Sequence, residues 1–62
     1  MSREPQPECT DDHVFYWFNN YYQCYFNALW GRYRELRASN TPYVAYKLVM
    51  REYDAGAFSP EW

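Results

Sequence analysis

Glycine is almost missing from this chain. Gly31 and Gly56 are the two glycines in 62 residues, so no glycine-rich loop is present to cradle a phosphate. Cysteine is equally scarce, and Cys9 and Cys24 are too few for a disulfide framework. With His13, the one histidine, they can be drawn as three metal ligands. A structural zinc site wants four, usually in paired short spacings, and no second close pair exists. No metal and no cofactor is expected. No Ser–His–Asp or Cys–His arrangement can be argued from the spacing, and the adjacent Asp11 and Asp12 read better as helix caps. The expectation is therefore a protein that is not an enzyme. The length allows one small domain, which on folding removes only about 60% of its unfolded surface from water. Multidomain enzymes and large α/β scaffolds are excluded.

Charge of one sign is lacking too. Six basic and eight acidic residues give a net −2 and a pI near 5.1, whereas a general nucleic-acid binder is usually basic. The distribution is uneven. Residues 1–31 hold Arg3 against Glu4, Glu8, Asp11 and Asp12, while Arg32, Arg34, Arg37, Lys47 and Arg51 follow against Glu35 and Glu52. The opening Met1-Ser2-Arg3-Glu4-Pro5 has no apolar run. That predicts no secretory signal and a cytoplasmic location with reduced thiols.

Aromatic residues are abundant. Phe, Trp and Tyr make up 24% of the chain and hydrophobic residues 48%, so the composition is that of a folded domain, not a disordered one. Residues 1–10 carry two prolines and no apolar periodicity, and read as a flexible N-terminal tail. Residues 11–62 form a single small helical domain. Thr10, Asp11 and Asp12 suit a helix start. From His13 to Ala38 the only interruption is Gly31, which predicts one long helix over about 12–38, bent at Gly31. Ala38-Ser39-Asn40 reads as a turn. Thr41-Pro42 begins a second helix over about 42–55, which Gly56 can cap. The C-terminal tail offers Phe58 and Trp62 to pack back. The fold class is all-α, a two-helix hairpin.

At about 100° per residue the long helix places Phe15, Phe18, Tyr22, Tyr25, Phe26, Leu29, Tyr33 and Leu36 on one face, an aromatic a/d seam. A shoulder of Val14, Trp17, Tyr21, Cys24 and Ala28 runs beside it. Asn19, Asn20, Gln23, Asn27 and Arg34 lie opposite, with Tyr16 and Trp30 out of place among them. The apolar sector spans about 200°, twice what one core requires. Helix lengths of about 39 Å and 21 Å follow from 1.5 Å per residue. A hairpin then covers half of the first helix, and the rest needs a second copy or another protein to complete the core.

Three contact functions follow. Val14, Trp17, Tyr21, Cys24 and Ala28 have anchor spacing for a protein partner. That makes the chain a small interaction module, a regulator, inhibitor or accessory subunit, of a size class that phages and mobile elements often encode. The alternative is a nucleic-acid regulator using Arg32, Arg34, Arg37, Lys47 and Arg51 around the turn. The second helix, however, begins Pro42-Tyr43-Val44, poor in side chains that read bases. A membrane-interface peptide over 13–31 is the third reading. Its polar face is Asn and Gln instead of the Lys and Arg that interfacial helices carry, which counts against it.

Overall fold

The structure, a computed structural model, describes residues 4–60. Three α-helices account for most of it: α1 (Asp11–Tyr21), α2 (Phe26–Arg37) and α3 (Pro42–Asp54). A 3-10 turn, Gln23–Tyr25, separates α1 from α2, and no strand occurs among the described residues.

The helix starts follow from the capping residues. Thr10 accepts a hydrogen bond from the His13 backbone N–H at 3.3 Å, and Asp11 and Asp12 fill the first turn of α1, where the helix dipole favours carboxylates. Thr41 does the same for Val44 at 3.4 Å, with Pro42 opening α3. At the other end of α3, Gly56 takes φ +81°. The Gly56 N–H donates to the Tyr53 carbonyl and the Ala57 N–H to that of Glu52, the paired bonds of a Schellman cap.

The single long helix over 12–38 is not what forms. The chain leaves helical geometry at Tyr22, with φ −137° and ψ 44°, and resumes at Phe26. Gly31, expected at the bend, sits exposed inside α2. Propensity and packing explain the change. Asn19, Asn20, Tyr21, Tyr22, Cys24 and Tyr25 are all middling or weak helix formers, and Asn20 turns its side-chain amide onto the Tyr16 carbonyl at 2.8 Å, competing with the backbone ladder. Folding α1 back then buries what a hairpin would leave bare. Val14 and Phe18 of α1 are fully buried with Leu29 and Tyr33 of α2 and Ala45, Tyr46 and Val49 of α3. The Phe18 ring lies 6.0 Å from that of Tyr33 and 6.3 Å from that of Tyr46. The over-wide apolar sector is thus split between two helices, and much of the missing cover comes from this chain.

Residues 4–10, read from composition as a tail, lie against the helices. Pro5 is buried, Cys9 packs on the core, and the Tyr46 hydroxyl donates to Glu4 at 3.0 Å. Phe58 packs on the core as well, while Trp62 falls outside the described residues.

Two ion pairs tie the helices together. Asp11 accepts from the Tyr33 hydroxyl and from Arg37, whose Nε and Nη2 stand 2.7 and 3.1 Å away. Arg37 Nη1 donates to the Asn40 carbonyl at 2.9 Å, so one side chain joins the start of α1, the end of α2 and the turn. Arg32 makes a forked contact with Glu52 at 3.0 Å and a second with Glu35 at 3.1 Å. The bonds from Arg37 and then Tyr33 hold the Asp11 carboxyl below its ordinary value of 3.8. Burial, and next the bond to Asp11, pushes the Tyr33 phenol well above its usual range. Burial and Glu4 do the same for Tyr46.

The two glycines should respond in opposite senses to alanine. A Cβ on Gly31 meets nothing within 4 Å, so Gly31→Ala raises unfolding free energy by about 1 kcal/mol. Gly56→Ala lowers it by about 1 kcal/mol through its positive φ. Urea titration of both variants reads the difference.

The Asp11 clasp sets an acid limb. Its contribution is complete above about pH 5, where an unfolded aspartate is almost fully ionised, and fades as pH falls through the lower value Asp11 has in the fold. Asp11→Asn should cost about 1 kcal/mol at neutral pH, this half-exposed pair being worth less than a buried one, and should flatten the acid limb of a urea-midpoint profile against pH.

Candidate functional site

The break between α1 and α2 makes a corner whose surface is almost entirely tyrosine and amide. Tyr21 ends α1, Tyr22 leaves the helix, and Tyr25 ends the 3-10 turn. Tyr53 of α3 closes the corner from the other side, its ring edge-on to Tyr22 at 5.2 Å and to Tyr25 at 5.0 Å. Asn20, Gln23 and Cys24 complete the lining of a concavity of about 300 Å³ that holds no charged residue. The Trp17 ring lies 4.4 Å from that of Tyr21.

The corner's polar groups are partly engaged within the chain. The exposed Asn20 donates its amide nitrogen to the Tyr16 carbonyl at 2.8 Å. Trp17 Nε1–H is buried and makes no hydrogen bond. It lies close enough to the Tyr22 phenol to favour that phenol's ionised form. Burial outweighs this and, with Tyr53 and Asp54 nearby, raises the Tyr22 pKa. Tyr22 therefore stays a neutral donor and acceptor at physiological pH.

The five anchors read from the sequence separate. Trp17, Tyr21 and Cys24 come together at the corner. Val14 is fully buried and offers nothing to a partner. Ala28 lies half-buried on α2, beyond the break. The stripe assumed one unbroken helix, and the change of direction at Tyr22 divides it. Tyr22, Tyr25 and Tyr53 were missed as surface residues because the first two were assigned to a continuous seam. The signal available was the excess width of the apolar sector together with amides set between tyrosines.

Phe15, assigned to the same seam, is 43% exposed. Its ring meets Phe26 and Trp30 edge-on, each at 5.1 Å, and Trp30 stacks on Tyr33 at 5.0 Å. Trp30, out of place on the single-helix wheel, extends an aromatic layer where α2 faces α1.

The basic residues do not form one patch. Arg32 and Arg37 are held by Glu52, Glu35 and Asp11. Arg34 is exposed beside Trp30, Arg37 and Asp11. Lys47 and Arg51 line the outer face of α3 with Met50 and Asp54, where Lys47 stands 5.9 Å from the Tyr43 ring centre. Among the described residues no group of three or more His, Cys, Asp or Glu could hold a metal ion. Burial, the largest influence on Cys9, raises its thiol pKa, which favours the unreactive protonated form. No helix among the described residues is long and apolar enough to cross a membrane. No family model matches the chain, and no curated protein or solved structure is significantly similar to it.

With two of five cations neutralised and the others dispersed, too few phosphates can be contacted at once for counterion release to drive binding. Titrated with duplex or single-stranded DNA at about 0.15 M salt, the chain should leave fluorescence anisotropy unchanged. Binding that weakens in Arg34→Ala and Lys47→Ala would contradict this.

Proposed function

We propose that the chain is a non-catalytic protein-interaction module that acts by contact, a small regulator, inhibitor or accessory subunit, and that the tyrosine corner is its docking surface. The observation that carries the reading is the corner's make-up: four tyrosines and two amides around an uncharged concavity, with the Trp17 ring tilted against Tyr21 beside it. Tyrosine and tryptophan present large, rigid, amphipathic area with few rotors to freeze, and asparagine and glutamine supply adaptable hydrogen bonds. Protein-recognition surfaces concentrate these residues for that reason. The absence of charge along the lining favours a partner segment that is itself uncharged, carrying apolar groups and backbone amides. The exposed side-chain amides of Asn20 and Gln23 can exchange hydrogen bonds with such a backbone.

The test is site-directed cross-linking in extract of the cells that encode the chain. A benzophenone side chain at Gln23 should give a discrete adduct, and the same group at Lys47 on the outer face of α3 should not. Unlabelled chain should compete the adduct away. Tyr21→Ala and Tyr53→Ala chains should compete at least about tenfold less well, as expected for hot-spot truncation. Tyr21 is 54% exposed, so its variant should keep its stability to within about 0.5 kcal/mol. Equal labelling from Gln23 and Lys47, or full competition by both variants, would contradict the reading.

A further inference from the structure

A second surface, distinct from the tyrosine corner, carries charges that complement one another. Asp11 and Arg37 meet at one end of the α1–α2 pair, and the chain reverses at the other, so the two helices run antiparallel. Where they face each other, Phe15 lies against Trp30. At 100° per residue, Asp12 falls on the outer side of Phe15 along α1, and Arg34 on the outer side of Trp30 along α2. Both are exposed. Every other carboxylate or guanidinium of α1 and α2 is engaged: Asp11 with Arg37, and Arg32 with Glu35 and Glu52. Asp12 and Arg34 are the two charged residues of α1 and α2 outside these ion pairs, one of each sign, flanking the exposed Phe15 and the half-buried Trp30.

We infer that this face binds a second copy of the chain, about a two-fold axis that runs along the α1–α2 seam. That axis lays α1 of one copy over α2 of the other while keeping each residue at its level along the seam. Asp12 then stands opposite Arg34 of the second copy, and Arg34 opposite Asp12, with the Phe15 and Trp30 rings enclosed between them. A two-fold contact requires a surface that complements itself, and one anion and one cation on opposite flanks of an apolar strip meet that requirement. The result is a four-helix layer, with the two tyrosine corners left outside it.

The experiment is sedimentation equilibrium on the full chain, with Asp12→Arg and Arg34→Asp made separately and then mixed. Each single variant carries like charges on both flanks, so each should dimerise at least about tenfold more weakly than the unchanged chain. In the equimolar mixture every pair is again opposite in sign, and association should return to within about threefold of the original. Recovery in the mixture also shows that both variants are folded. Asp12→Ser and Arg34→Gln remove charge without adding repulsion and should give smaller losses. A monomer at every concentration would overturn the inference. So would a dimer indifferent to the swaps, or one weakened by both and not restored by mixing. Cross-linking from Gln23 should be unchanged by the swaps, which keeps this test separate from that of the corner.

Discussion

The structure turns on the four residues where the first helix stops. An uninterrupted helix from Asp11 to Arg37 carries an aromatic sector too wide for one core and too long for α3 to cover. Leaving helical geometry at Tyr22 and resuming at Phe26 forfeits a few backbone hydrogen bonds, each worth about 1 kcal/mol net. In return Val14 and Phe18 become fully buried, and a buried aromatic or aliphatic side chain contributes roughly 1.5–3 kcal/mol. Burial therefore wins over helix continuity. The local sequence offers little resistance, because the segment has few strong helix formers. The Asp11 clasp then fixes how far back α1 swings, since its partners Tyr33 and Arg37 lie on one side of α2.

The same break creates the surface on which the functional reading rests. Tyrosines that a straight helix would spread along its length are gathered around a corner, and Tyr53 of α3 locks two of their rings edge-on. What remains is apolar enough to be worth covering and polar enough to stay in water, the combination that makes tyrosine and tryptophan frequent at interfaces. The face of Phe15 and Trp30 has another character, bordered by Asp12 on α1 and Arg34 on α2, charges of opposite sign. The dimer proposed through that face would present two identical corners at once, which would raise apparent affinity for a partner with repeated sites without any new contact.

Much of the fold was legible in the residues. Thr10 and Thr41 mark helix starts through their hydroxyls, Pro42 sits where its missing N–H costs nothing, and Gly56 ends α3 with the one positive φ among the described residues. The amphipathic reading of α3 carried over directly, with Ala45, Tyr46 and Val49 inward and Lys47 and Arg51 outward. The break was hidden because no glycine or proline marks it. Gly31, the residue that looked like a hinge, is an ordinary exposed position in α2. Only the sector width, and the misfit of Trp30 on a single wheel, hinted that two helices were being read as one. The site was legible in part for the same reason: Trp17, Tyr21 and Cys24 end up together, while Val14 and Ala28 belonged to the stripe only if the helix ran on. The engagement of Arg32 and Arg37 by carboxylates from α1 and α3 could not be read at all, since those pairings span 20 or more residues.

The most direct test of this account is an isotope-filtered nuclear Overhauser measurement on a mixture of labelled and unlabelled chain. An unbroken helix would hold Asp11 and Tyr33 about 33 Å apart within one molecule, so contacts between them report the break. The account predicts intrachain contacts from Asp11 to Tyr33 and from the Phe18 ring to that of Tyr46, with helical amide contacts interrupted between Tyr21 and Phe26. Helical contacts running unbroken through that segment, with the Asp11–Tyr33 and Phe18–Tyr46 contacts arising between chains, would contradict it.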